Sequence, residues 1–117
     1  MAFRFEKLDI WHAAKAYAGT VYGVTSRFPR KEEYGLTTQM NRAVNSISLN
    51  IAEGAGKRTN RGFDYHLEVA IGSSFEVVAA SFLALDRSYI TAEQHEKLYT
   101  EAEHLCRRIN AFRKTLL

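Results

Sequence analysis

Proline and cysteine are almost missing from this chain. One proline, Pro29, and one cysteine, Cys106, occur in 117 residues. A lone cysteine excludes an intramolecular disulfide, and a reducing cytoplasm is the simplest compartment. With one proline and no Pro-, Ser- or Gly-rich stretch there is no linker, which leaves a single domain over residues 1–117. No run approaches the roughly 18 consecutive apolar residues of a membrane span. The first residues include Arg4, Glu6, Lys7 and Asp9 and lack the apolar region and cleavage site of a secretory signal. Together these absences lead to the expectation of a soluble cytoplasmic protein with no membrane association. Strand-like alternation persists nowhere, and neither an internal repeat nor a low-complexity tract occurs.

What is present is helical periodicity. Hydrophobic residues make up 46% of the chain, enough for one core, and charged residues 25%, an ordinary globular level. The spacing predicts a first helix over about Leu8–Arg27, capped by Asp9 and stopped by Phe28-Pro29. Ile10, Ala14, Tyr17, Val21 and Val24 form one stripe on it. Leu8, Trp11, Ala18 and Tyr22 form a second, and the combined arc is wider than one neighbouring helix requires. Pro29 to Gly35 reads as a connector with Arg30, Lys31, Glu32 and Glu33 exposed. A second helix, about Leu36–Glu53, carries two opposed stripes. Leu36, Met40, Ala43, Val44, Ile47 and Ile51 make its core face. Gln39, Arg42, Ser46, Asn50 and Glu53 make a short-chained, amide-rich face suited to close packing with hydrogen bonds.

Gly54 and Gly56 are expected to cap that helix at positive φ. Thr59 or Asn60 then caps a third helix reaching about Ser88. Between Phe75 and Leu85 it is apolar on nearly every side. A helix apolar all round must be buried all round, which in so small a chain implies a partner subunit. Thr91 and Gln94 form a capping box for the fourth helix. Its Leu98, Ala102, Leu105, Ile109, Phe112 and Leu116 alternate steps of four and three, a bundle seam. The fold class is all-α, an antiparallel up-and-down four-helix bundle.

That topology sorts the charges. The formal net charge is +3 and the isoelectric point about 9.1, which permits an acidic partner without requiring one. Helices two and four end at the pole where helices one and three begin. That pole gathers Arg4 and Lys7, Lys57, Arg58 and Arg61, and Arg107, Arg108, Arg113 and Lys114. Glu6, Asp9, Glu53 and Asp64 offset only part of this. A clustered basic pole is the footprint expected for phosphate contact with nucleic acid, and Phe63 and Tyr65 offer stacking faces. The same cations at helix C-termini also complement the macrodipole with no ligand at all.

Catalytic chemistry finds little support. Gly54-Ala55-Gly56-Lys57-Arg58-Thr59 lacks the spacing and the strand-to-helix setting of a phosphate loop. Glu101 and His104, and Asp9 and His12, mimic half of a di-iron motif, but Glu101 and His104 should lie toward the surface. His66 and His95 have no partners evident in sequence. Cys106, one residue past a seam position, reads as half-buried with no activating base. No catalytic residue, metal or cofactor is assigned. Folding helices two and three into a hairpin places Arg42 opposite Glu76 and Asn50 opposite His66. The reading is a register-setting polar network of Gln39, Arg42, Asn50, Glu53, Ser73 and Glu76. Its centre is an Arg42–Glu76 ion pair, and Gly72 permits close helix approach.

Several of these residues carry a family resemblance. Phe28-Pro29, Glu33-Tyr34-Gly35-Leu36-Thr37 with Gln39, Arg42-Ala43, Ser46-Ile47 and Asn50-Ile51-Ala52-Glu53-Gly54 form one block. Ala70-x-Gly72-Ser73-x-x-Glu76 forms a second. Both resemble the signature of the bacterial four-helix-bundle family named after the 23S ribosomal RNA intervening sequence. Asn41 stands where a second basic residue is common. The resemblance implies an up-and-down bundle assembled as a ring-forming homo-oligomer, typically a homopentamer. It also implies kinship with the accessory variability determinant of diversity-generating retroelements, which binds nucleic acid and a reverse transcriptase through a basic surface. The expectation is a non-enzymatic bundle that binds RNA or DNA, as an accessory to a partner such as a reverse transcriptase. The alternative is a protein-interaction scaffold whose basic pole is incidental.

Overall fold

Residues 2–117 are described by a computed structural model. Among them are four α-helices: α1 (Asp9–Thr25), α2 (Leu36–Ala55), α3 (Asn60–Asp86) and α4 (Ala92–Lys114). Short 3₁₀ turns occupy Arg4–Lys7 and Arg30–Glu32, and no described residue lies in a strand. At 1.5 Å per residue, a helix the length of α3 spans about 40 Å, which accounts for the 43 Å long axis against 23 and 21 Å across. Each helix packs on the next, and α4 closes the square against α1. The pairings run antiparallel. Thr25 meets Asn41 while Tyr22 meets Asn45, and Asn50 meets His66 while Ser46 meets Ser73.

The core faces follow the apolar periodicity. Met40, Val44, Ile47 and Ile51 of α2 are wholly buried, as are Leu67 and Val77 of α3, Leu98 and Ile109 of α4, and Val21 of α1. Each fully buried side chain of this size contributes roughly 1.5–3 kcal/mol. Phe112 and Leu116, at the end of the α4 seam, pack half-buried against this core. Thr59 caps α3 by accepting from the Gly62 amide at 3.0 Å. Thr91 and Gln94 cap each other's backbone at the start of α4, as the capping box requires.

Four local expectations are corrected. Asp9 is the first residue inside α1, and Leu8 holds the N-cap position without a side-chain bond. Gly54 lies inside α2, buried, and Gly56 has φ −87°, so neither is a positive-φ cap. Gly54 serves close approach instead. A Cβ there would stand 2.8 Å from His66 Cβ and 2.9 Å from Phe63 Cδ1. Gly72, expected to permit that approach, faces open space. Among the described residues the one at positive φ is Ser88, at 61°. It closes α3 in a Schellman motif, with the Tyr89 amide donating to Ala84 and the Ser88 amide to Leu85. Glu32, expected in solvent, is a hub whose carboxylate accepts from the Tyr89 hydroxyl at 2.8 Å and the Leu36 amide at 3.1 Å.

Between Phe75 and Leu85 α3 is apolar on both faces, but within this chain only its inner face is buried. Its inner face carries Ser73, Ser74 and Ser81 among the buried apolar residues, while Phe75, Phe82 and Leu83 are exposed. It is long and apolar enough by composition to cross a membrane. Here it packs between α2 and α4 as a bundle helix.

Candidate nucleic-acid interface

The pole foreseen from the topology is assembled by contacts between distant parts of the chain. The Arg4 guanidinium lies over the Phe63 ring, 5.0 Å from its centroid, which seats the N-terminal turn on the start of α3. Phe63 in turn packs on Phe112 of α4 at 5.3 Å. Arg113 forms a fork on Asp64, with Nε to Oδ1 at 2.6 Å and Nη2 to Oδ2 at 3.2 Å. A second contact reaches Glu68 at 3.5 Å. The hydrogen bonds from Arg113 hold the Asp64 carboxyl below the usual carboxylate range. Arg113 therefore ties α4 to α3.

The remaining cations differ in what they meet. Lys57 stands 3.9 Å from Glu53 and Arg107 3.4 Å from Glu103, both on the surface. Such exposed pairs contribute little stability and release their cation readily. Lys7, Arg58, Arg61, Arg108 and Lys114 are exposed, and among the described residues no carboxylate lies within ion-pair distance of them. Of the two expected stacking faces, Phe63 is buried and closed to a ligand, whereas Tyr65 is 63% exposed.

The polar network between α2 and α3 forms with different members. Ser73 Oγ donates to Ser46 Oγ at 2.8 Å, and Asn50 Nδ2 donates to the same oxygen at 3.0 Å. Asn50 Oδ1 pairs with His66 Nδ1 at 3.0 Å, and His66 Nε2 lies 3.7 Å from Glu53. Ser73, Asn50 and Glu53 thus belong to a ladder completed by Ser46 and His66. Gln39, Arg42 and Glu76 do not. All three are exposed and line a groove of about 520 Å³ between the helices, and Arg42 and Glu76 make no ion pair. They share a face, as the hairpin demanded, but lie where water solvates each charge separately. The Ser46 and His66 signal was in the sequence, as one step of the polar stripe and as the residue opposite Asn50.

The other chemistry-bearing side chains have structural surroundings. His95 is buried, with Nδ1 2.8 Å from Ser81 Oγ and its ring 4.3 Å from Phe82. His66 and His95 therefore both have partners, each contributed by a residue far away in sequence. His12 Nε2 donates to the Glu6 carbonyl at 2.8 Å. Glu101, expected at the surface, is half-buried, with Oε2 enclosed and unbonded, while His104 is exposed. Among the described residues no three His, Cys, Asp or Glu side chains converge as a metal site. Burial pushes the Cys106 thiol up, the opposite of what a reactive thiolate needs. Burial likewise raises the Tyr17 phenol, which donates to the Leu98 carbonyl at 2.9 Å.

Comparison with known proteins agrees with this architecture. A family model described as 23S rRNA-intervening sequence protein matches residues 6–111. A protein of unknown function from the S23 ribosomal protein family of Bacteroides thetaiotaomicron superposes with a TM-score of 0.82. The two chains are 20% identical, and the match covers 90% of this chain and 98% of that one. At that identity the likeness is one of fold. No curated protein matches the sequence.

Proposed function

The chain belongs to the 23S rRNA-intervening sequence protein family, and we propose that it is a non-enzymatic, oligomeric helical bundle whose basic pole binds RNA or DNA. The observation that supports this most is the set of exposed cations Lys7, Arg58, Arg61, Arg108 and Lys114, gathered at one pole with no acidic partner among the described residues. Like charges held together repel one another, and a polyanion relieves that repulsion while releasing its own condensed counterions. The expected behaviour is a linear fall of log affinity with log salt. Each phosphate contact adds about 0.7 to the slope on a single strand and about 0.9 on a duplex. Fluorescence anisotropy with labelled RNA and DNA across a salt series measures it. An absence of binding to either at low salt overturns the reading.

A scaffold role is favoured by a second surface. Phe75, Val78, Phe82 and Tyr99 line an apolar groove of about 470 Å³ between α3 and α4. Phe75 is 69% exposed beside it. We assign this face to contacts between copies of the chain and extend the proposal to a ring of five, as the family resemblance implies. Sedimentation equilibrium decides the subunit number, and a wild-type monomer at micromolar concentration excludes the ring. A cytoplasmic location and a protein partner such as a reverse transcriptase complete the proposal. Copurification from the native cell tests both.

A further inference from the structure

Two exposed aromatic rings lie at the basic pole. Tyr65 is 63% exposed and Phe3 65% exposed. Tyr65 follows Arg61 by one turn on the outer side of α3, the spacing at which helical side chains are neighbours. Its ring stands edge-on to His66, with centroids 5.3 Å apart and planes at 79°. Asn50 fixes His66 from α2, so the Tyr65 ring is braced from below. Phe3 is braced in the same manner. It packs on Phe5 at 5.9 Å, and Phe5 packs on Trp11 at 4.7 Å. Arg4, next in sequence, is seated over Phe63 and carries this turn onto the start of α3.

Resting on the reading that this pole binds nucleic acid, we infer that it takes single strands in preference to duplexes, with Tyr65 and Phe3 as stacking platforms for unpaired bases. The physical case has two parts. A duplex buries its base faces and offers only phosphates and groove edges, so exposed rings gain nothing from it. An unpaired base presents its face, and base–aromatic stacking tolerates any sequence. The pole itself is built from four helix ends, the N-terminal turn and the turn between α2 and α3, and each helix is packed against two neighbours rather than standing clear as a groove-reading helix does. Arg58 and Arg61 supply phosphate contacts beside the rings. Bracing means that little side-chain freedom is lost when a base stacks.

The test compares labelled oligouridylate, oligothymidylate and a mixed-sequence duplex of equal length at one salt concentration. Both single strands are expected to bind about tenfold or more tighter than the duplex. Tyr65→Ala and Phe3→Ala should each weaken single-strand binding about tenfold and leave duplex binding unchanged, whereas Tyr65→Phe should retain it. Both positions are on the surface, and an unchanged circular dichroism spectrum confirms that the variants fold. A preference for only one of the two single strands still supports stacking. Equal affinity for duplex and single strands, or no effect of Tyr65→Ala, overturns the inference and leaves the basic-pole reading intact. Failure to bind any of the three overturns that reading itself.

Discussion

The two ends of the bundle are built from the same residue types and differ in what their charges meet. At the end where α1 and α3 finish, Glu32 gathers the Tyr89 hydroxyl, the Leu36 amide and, at 3.7 Å, Arg87. Phe28 packs on Tyr89 at 5.6 Å, so the connector before α2 is fastened to the turn after α3. Glu33, Asp86 and Glu93 stand alongside Arg27, Arg30 and Lys31, and the two signs are nearly balanced. At the opposite end one fork, Arg113 on Asp64, does the corresponding fastening. Most other cations there face solvent, and they outnumber the acids. Charge at the first end closes the fold. Charge at the second is largely surplus to folding, and surplus charge of one sign is what a polyanion can use.

That contrast is open to direct attack. The largest expected effect is on binding. Arg58→Glu with Arg61→Glu should weaken single-strand binding on the order of 50-fold at low salt and lower the salt slope by about 1.4, because two phosphates are no longer neutralised. Arg30→Glu with Lys31→Glu, at the far end, should change neither. Equal losses from both pairs would mean that net charge, not the pole, governs binding.

Next in size is Gly54→Ala. The added methyl meets His66 Cβ and Phe63, both held by neighbours, and overpacking of this kind costs about 1–3 kcal/mol. Urea denaturation reads this as a lower midpoint, and an unchanged midpoint would show that α2 and α3 separate at no cost.

Ser88→Gly probes the far end and should raise stability by about 1 kcal/mol, because a side chain at φ 61° carries a steric penalty that glycine escapes. No gain in urea midpoint would show that the Ser88 turn is held by more than its backbone geometry.

The smallest effect is acid loosening at both ends. The Leu36 amide, then Tyr89 and Arg87, hold the Glu32 carboxyl below its ordinary range, and Arg113 does the same to Asp64. Because both values are depressed on folding, the unfolded chain takes up these protons at higher pH than the native one. The stability they add is complete above the ordinary carboxylate range and drains away as pH falls through it and below. Urea midpoints followed downward from neutral pH should decline, with a shallower decline in Glu32→Gln and in Asp64→Asn. A decline no shallower in either variant would remove these carboxylates from the account.

Much of the architecture was legible before the structure. All four helices lie within a few residues of where the apolar spacing places them, and the capping box at Thr91 and Gln94 forms as written. The hairpin register was legible too, since Asn50 does meet His66. The misreadings concern residues whose role depends on a partner far along the chain. Gly54 looks like a cap until α3 is laid against it. Glu32 looks solvated until Tyr89 arrives from across the bundle. Arg42 and Glu76 share a face but lie too far out to pair. Phe63 and Tyr65 both offered a stacking face, but Phe63 falls in step with Leu67 and Ala70 on the core stripe and is buried, while Tyr65, two residues on, is exposed.

The number of helices, their core faces, their antiparallel order and the gathering of cations at one pole were all contained in the amino-acid sequence. Each follows from local periodicity and short turns, which neighbouring residues settle among themselves. Which cations are engaged and which are left over, and which glycine is needed for contact, were decided only by the tertiary structure. Those are distances between residues remote in the chain, and the packing of α1 to α4 sets them.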